Sequence, residues 1–414
     1  MNRCPSSPAP ATPLDDEDLL REIFLRLPPR PSSLPRASLV CKCWRRILSN
    51  QRFLRRFCKH HQKPLLLGFF EKIQDQPPIL TPLLDPPDRI PVARFALPHK
   101  RSSYNYKSWH FMGGRHGMAV LVHSRRRKIL VWDPLTNQHK CVRFPPGLLD
   151  DKHYIFWIWH AAVICTDAED GHVHGDCFSS PFKSVLVWGF GQMQAFSCLY
   201  ESASGVWEDI VSIPFTDMLY QIGSPILVGN ALCWLLREGD VAAFDFQRNN
   251  IDVIVKPADA HIAPYRSAQL LRTGDGEFGL AVLSELTIKL WERKSNCDGV
   301  VKWLLPHKTI HLDLFPCPMR AMSNQVLIVG YGEESNVIIL STTIGNFMLQ
   351  LDSTQITHIV KRDTMCYNTF YPYTSFYTAG LREEDSRRSI PSWLNCFGHS
   401  KFNGGPERSN QWST

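Results

Sequence analysis

From Asp16 to Phe57 apolar positions recur at intervals of three and four, and prolines cut the run into pieces. Leu19, Leu20, Ile23, Phe24 and Leu27 share one face at i, i+4 and i+8. The acids before them, Asp15, Asp16, Glu17 and Asp18, suit the positive end of a helix. Pro28 and Pro29 end this first helix. A second is expected to be capped by Ser33, with Pro35 in its first turn and a stripe of Ala37, Val40, Cys41, Trp44 and Leu48. A third starts after Ser49 and Asn50 and buries Phe53, Leu54 and Phe57. So small a three-helix unit carries more large apolar side chains than it can enclose alone, which implies a partner surface.

After "HHQKPLLLGFF" the period changes from helix to strand. Short runs rich in Val, Ile, Leu, Phe and Trp alternate with Gly, Asn, Asp and Pro clusters to about Gly380, the pattern of an all-β domain. Five stretches repeat one design: "ILVWDPLTNQHKCVRFP", "FSCLYESASGVWEDIVSIP", "VAAFDFQRNNIDVIVKP", "IKLWERKSNCDGVVKWLLP" and "NFMLQLDSTQITHIVK". Each is a strand, an acid, a polar turn and a second strand. The acids Asp133, Glu201, Asp245, Glu292 and Asp352 are 68, 44, 47 and 60 positions apart. Periods near 45 with insertions are those of β-propeller blades, and "PLLLGFFEKIQDQPPIL" reads as a divergent sixth hairpin. The expected fold is α+β multidomain. It has a small three-helix unit over residues 14–63, then a propeller of about six to seven blades over residues 64–380. The longest insertion is expected around "TDAEDGHVHGDCFSSPF", and the tails, residues 1–13 and 381–414, are expected to be disordered.

Charge sharpens the first region. Between Arg30 and Lys63 there are ten Lys or Arg and no Asp or Glu, directly after the acidic start. Such a face suits an acidic protein partner; a nucleic-acid contact is the weaker alternative. Thirteen cysteines in no framework spacing read as free thiols in a reducing compartment, cytoplasm or nucleus. The longest nearly apolar run, "YIFWIWHAAVIC", is too short to span a bilayer, and the N-terminus lacks the apolar core of a signal peptide.

Candidate chemistry is sparse. His172, His174 and Cys177 in "GHVHGDC", with Cys165 nearby, offer zinc-type ligands, but the spacing is not that of a standard finger. A polar loop between blades is the expected reading, with no metal or other cofactor. "SRRRK" at Ser124–Lys128 sits where a hairpin turn belongs, so a solvated turn is expected over a nuclear import signal or RNA contact. No nucleophile elbow, P-loop or paired-carboxylate motif occurs, which argues against direct catalysis.

The segment "LLREIFLRLPP" followed by "SLPRASLVCKCWRRIL" resembles the F-box: an acidic first helix, a Leu-Pro break and a Val-Cys-Lys-x-Trp helix. That resemblance implies docking on the Skp-family adaptor of cullin-based ubiquitin ligases. The anchors it implies are Leu14, Leu20, Ile23, Leu27, Pro28, Leu34, Val40 and Trp44, shared between the unit's own packing and the adaptor. Behind it, "RHGMAVLV", "VWDPLTNQ", "VGNALCWLL", "FDFQRNNIDVI" and "PYTSFYTAG" resemble the propeller-like associated domain of plant F-box proteins, grass ones especially. The implied role is a non-catalytic substrate receptor whose propeller recruits a protein target to the cullin-RING core. The alternative is a nucleic-acid-binding or enzymatic propeller braced by its first helices.

Overall fold

The computed structural model describes residues 16–73, 76–97, 109–123, 125–149, 158–167, 172–190, 194–214, 225–263, 266–273, 277–295, 301–314, 326–361 and 367–377. Leu14 and both expected tails lie outside these residues. No helix among the described residues is long and apolar enough to cross a membrane.

Four helices, not three, open the chain: α1 (Glu17–Leu25), α2 (Ser33–Ser38), α3 (Lys42–Leu48) and α4 (Gln51–His61). The Asp16 carboxylate accepts from the backbone of Asp18 and Leu19 and so caps α1, and Asn50 caps α4 through Arg52 and Phe53. The expected second helix is broken, because Cys41 is extended at φ −158° and ψ 170° and its Sγ accepts from the Trp44 N–H at 3.4 Å. Cys41 therefore caps a new helix, and Leu39 and Val40 in the break stand 54% and 62% exposed. The expected Ser33 cap is also displaced. Ser32 takes the cap position without a capping bond, and its hydroxyl donates instead to Asp88 Oδ1 at 2.6 Å.

The helices close on a core of Leu20, Phe24, Leu25, Leu34, Ile47, Leu48, Phe53, Leu54 and Phe57. Removing each such side chain from water contributes about 1.5–3 kcal/mol. Phe24 is the hub, with its ring 4.9 Å from Trp44 and 6.3 Å from Phe53.

The β region is a six-bladed propeller. Its first blade holds β1 (Leu65–Lys72) and β2 (Ile79–Pro82). The second is β3 (Trp109–Arg115), β4 (Met118–His123), β5 (Lys128–Trp132) and β6 (His139–Arg143). In the third, β7 (Ile158–Cys165), β8 (Phe182–Phe190) and β9 (Gln194–Glu201) are followed by β10 (Val206–Trp207) and β11 (Val211–Pro214), both paired with β9. The fourth is β12 (Ile226–Val228), β13 (Ala231–Leu235), β14 (Val241–Asp245) and β15 (Asn250–Ile254). The fifth is β16 (Ala268–Arg272), β17 (Phe278–Ser284), β18 (Thr287–Ser295) and β19 (Val301–His311). The sixth is β20 (Leu327–Gly332), β21 (Val337–Thr342), β22 (Gly345–Gln350) and β23 (Ile356–Lys361).

The last strand, β24 (Thr369–Ser375), returns to the first blade and pairs antiparallel with β1, from Leu65 opposite Ser375 to Lys72 opposite Thr369. Asn368 Nδ2 donates to the buried Glu71 carboxylate at 2.7 Å beside that seam. Leading strands of neighbouring blades pack on one another: β24 on β3, β3 on β7, β12 on β16, β16 on β20 and β20 on β24. Central strands are covered on both faces, so β4 and β21 are buried at every position, whereas β6 and β15 at the rim are partly exposed.

All five repeated stretches form the outer hairpins of their blades, and "PLLLGFFEKIQDQPPIL" forms β1 and β2. Two of the acids are turn chemistry, whereas Glu292 lies within β18 opposite Leu304. Asp133 Oδ1 accepts from Leu135 and Thr136 N–H, and Asp245 Oδ1 from Gln247 and Arg248 N–H. Four residues after the acid comes a left-handed residue: Asn137 (φ 60°), Gly205 (φ 73°) and Asn249 (φ 48°). Residues 166–181 separate β7 from β8, and residues 83–108 separate β2 from β3.

Candidate functional site

The anchors implied by the F-box resemblance separate by burial. Leu20 and Leu34 are 1% and 2% exposed and belong to the helices' own core. Ile23, on the same face of α1 as Leu19, is 40% exposed; Pro28 and Val40 also face solvent, while Leu27 and Trp44 are half-buried. Sequence periodicity missed Leu39, whose exposure follows from the helix break. The exposed large apolar side chains in this region, Leu19, Ile23, Leu39 and Val40, stand beside a core that is closed without them. Scattered exposed leucines are ordinary, but this group sits on one α1 face and one turn.

The acidic and basic runs meet within the helices. Arg46 pairs with Glu17 at 3.2 Å and Arg56 with Glu22 at 3.0 Å, so α3 and α4 are each tied to α1. Such solvent-facing pairs contribute at most about 1 kcal/mol each. Arg45 stays exposed.

The helices meet the propeller through α2. Besides the Ser32 hydroxyl, the Ser32 N–H donates to Asp88 Oδ1 at 3.1 Å, and Arg30 pairs with Asp88 Oδ2 at 3.6 Å. A cleft of about 290 Å³ lies alongside, between Pro35, Arg36 and Leu39 on one wall and Pro87, Pro91 and Tyr377 on the other.

At the centre of the propeller Arg115 pairs with Glu333 at 2.6 Å and donates to the Pro225 carbonyl at 2.9 Å. Arg272 reaches Glu333 Oε1 at 3.4 Å, and the Leu227 N–H donates to its Oε2 at 3.3 Å. One carboxylate thus gathers three blades besides its own, and the space left there is about 40 Å³, enough for little more than water. Burial pushes the Cys198 and Cys233 thiols up to about 12, so neither is a nucleophile at neutral pH.

The expected polar loop after β7 does more than cross solvent. Cys165, at the end of β7, and Cys177, before β8, are buried, and their sulfurs converge with ring nitrogens of His172 and His174. Sequence spacing offered these four residues as ligands without showing that the loop folds them together. The loop is held at Gly175, whose carbonyl accepts from Ser375 Oγ at 2.6 Å and from the Phe376 N–H at 3.3 Å. Gly175 has φ 138°, and a Cβ there would meet Phe376 and Pro64 at 2.9 Å, so only glycine fits. Arg125–Arg127 of the basic stretch belong to the turn joining β4 to β5, with Arg125 and Arg126 exposed, and Lys128 opens β5.

Residues 16–56 match the model of the F-box domain. A search of curated proteins returns no match. Among solved structures the chain is similar to the computationally designed Ika8 protein, at 11% identity and a TM-score of 0.30, over 61% of this chain and 64% of that one. It is also similar to the extracellular domain of a one component system of B. thetaiotaomicron, at 12% identity and a TM-score of 0.31, over 61% of this chain and 28% of that one. The chain therefore spans less than two thirds of the length of either.

Proposed function

We propose that this chain is the substrate receptor of a Skp-cullin-F-box ubiquitin ligase. The F-box match over residues 16–56 carries the reading, and apolar side chains held outside a closed helical core support it. Ile23, Pro28 and Val40 are the direct contacts, joined by Leu27 and by the outer edge of Trp44. Leu20 and Leu34 act from beneath, by fixing α1 against α2. Leu14, outside the described residues, belongs to the same anchor set. The exposed cations of α3 steer an acidic adaptor surface and set the salt dependence of association.

The propeller holds a protein target near the ubiquitin-loading enzyme. Rate gain then comes from raised local concentration, not from chemistry in this chain. The order of motifs behind the F-box further supports kinship with grass-type plant F-box proteins. Cysteine usage supports work in the cytoplasm or nucleus.

Co-purification of the full chain with a Skp-family adaptor tests the proposal. Wild type is expected to bind, and Ile23→Asp with Val40→Asp to lose more than about tenfold in affinity, since burying each side chain is worth about 1.5–3 kcal/mol. Both positions are exposed, so the melting temperature should hold. Equal binding by the double variant, or no binding by wild type, overturns the assignment.

A further inference from the structure

The cluster of Cys165, His172, His174 and Cys177 lies outside the segment that matches the F-box model, and it gathers four metal-type donors. Cys165 Sγ and Cys177 Sγ each lie 3.4 Å from His172 Nε2, and Cys177 Sγ lies 3.6 Å from His174 Nδ1. All four donor atoms fall within 4.8 Å of one another. On its other side His172 faces a carboxylate, with Nδ1 3.2 Å from Asp167 Oδ2. Donation from Nδ1 to that carboxylate leaves one lone pair on Nε2, aimed at two sulfurs at once. That lone pair takes one thiol proton and Cys177 can give its own to His174 Nδ1, so it is the convergence of four donor atoms on one point that calls for a metal.

We infer that these four side chains form a structural zinc site. Zinc bonds of about 2.3 Å to sulfur and about 2.0–2.1 Å to nitrogen, at tetrahedral angles, give a sulfur–nitrogen edge of about 3.6 Å. The three observed distances, 3.4, 3.4 and 3.6 Å, fit that edge. Two thiolates cancel the charge of the ion, so the filled site is neutral, as suits cysteines that are 6% and 0% exposed. Loading releases two thiol protons to solvent and changes no oxidation state.

The surroundings are those of a built site. Asp167 orients His172 and is itself held by Ser180 Oγ at 2.7 Å, the carboxylate–histidine arrangement that fixes a ligand's tautomer. His116, in the β3–β4 turn, stacks on His174 at 3.7 Å with planes 6° apart. Its Nδ1 accepts from the Cys165 N–H at 3.2 Å, and its carbonyl accepts from the Cys177 N–H at 3.3 Å. Four protein ligands leave no open position, so the role is a clamp and not a catalyst. The clamped loop lies against Pro64, Ser375 and Phe376, where the ring closes and the helical segment joins it.

The test uses the full chain purified under reducing conditions. Elemental analysis should find about one zinc per chain, matching one tetrahedral ligand set. The metal-stripped chain should take up cobalt(II) with the visible bands of tetrahedral coordination and thiolate charge transfer. Cys177→Ser should lose both signals, and Asp167→Asn should weaken zinc affinity about 10–100-fold in a chelator competition. The first two measurements need no variant. A folded, reduced wild-type chain that carries no zinc and gives no cobalt spectrum overturns the site. So does a native Cys165–Cys177 disulfide found by peptide mapping, or zinc retained in full by Cys177→Ser.

Discussion

The helical segment and the propeller treat apolar residues in opposite ways. Within six positions the helical segment runs from Leu34, at 2% exposure, to Leu39 and Val40, at 54% and 62%. The propeller instead buries both faces of its central strands, and β4 and β21 expose nothing. One region completes a small core and presents apolar side chains beside it; the other buries its central strands completely and leaves apolar side chains such as Val206, Val253 and Leu304 exposed on its outer strands. The difference teaches where affinity for an adaptor can reside: in the helices, with the blades free to vary their rims.

Substitutions should separate the two regions, beginning with the largest effect. Trp132→Ala removes a fully buried ring from the second blade, along with the bond from its Nε1 to Asn137 Oδ1 at 3.1 Å. It should cost the propeller about 3–5 kcal/mol in denaturant unfolding. Adaptor binding per folded molecule should not change; a parallel loss would mean that the two regions are one cooperative unit.

Trp44→Ala acts on the other side. Its ring packs edge-on against Phe24, and its loss should weaken adaptor binding about thirtyfold, the equivalent of about 2 kcal/mol. The melting of the propeller should stay put, and a titration showing normal affinity would refute the role given to this helix.

A pH series probes the ring seam. Burial, with Arg266 nearby, lowers the Lys72 pKa from 10.5 to about 8. Between those values the unfolded chain binds the extra proton, so stability should rise with pH across that window, by about 1 kcal/mol after allowing for partial solvent access. Lys72→Met should flatten that rise, and an unchanged slope would assign it to other groups. The smallest effect belongs to Arg46→Ala. It removes the exposed pair with Glu17 and should shift stability by less than about 1 kcal/mol, erased by added salt.

Particular residues show what was legible before folding. The outer hairpins were readable because Asp133 and Asp245 cap their turns locally, within three residues. The first helix was readable for the same reason, through Asp16. The break at Cys41 was not, since Ala37, Cys41, Trp44 and Leu48 keep helical spacing straight across it. The blade count depended on β24 meeting β1, a pairing with no local signal. For the candidate sites, the sequence supplied anchor residue types but not their exposure, which depends on which face of α1 meets α4. It likewise supplied two cysteines and two histidines, but not the His116 turn and Asp167 that aim them.

The pairing of β24 with β1 also sets an order of events during synthesis. Asn368 meets Glu71 across 297 positions of chain. At about 5–20 residues per second a ribosome needs on the order of 15–60 s to supply that partner. Until then the edge of β1 stands open, while α1 to α4, complete by His61, have already emerged. A nascent chain can therefore carry finished helices ahead of an unfinished ring, and a chain stalled in between joins a folded segment to an unsealed sheet.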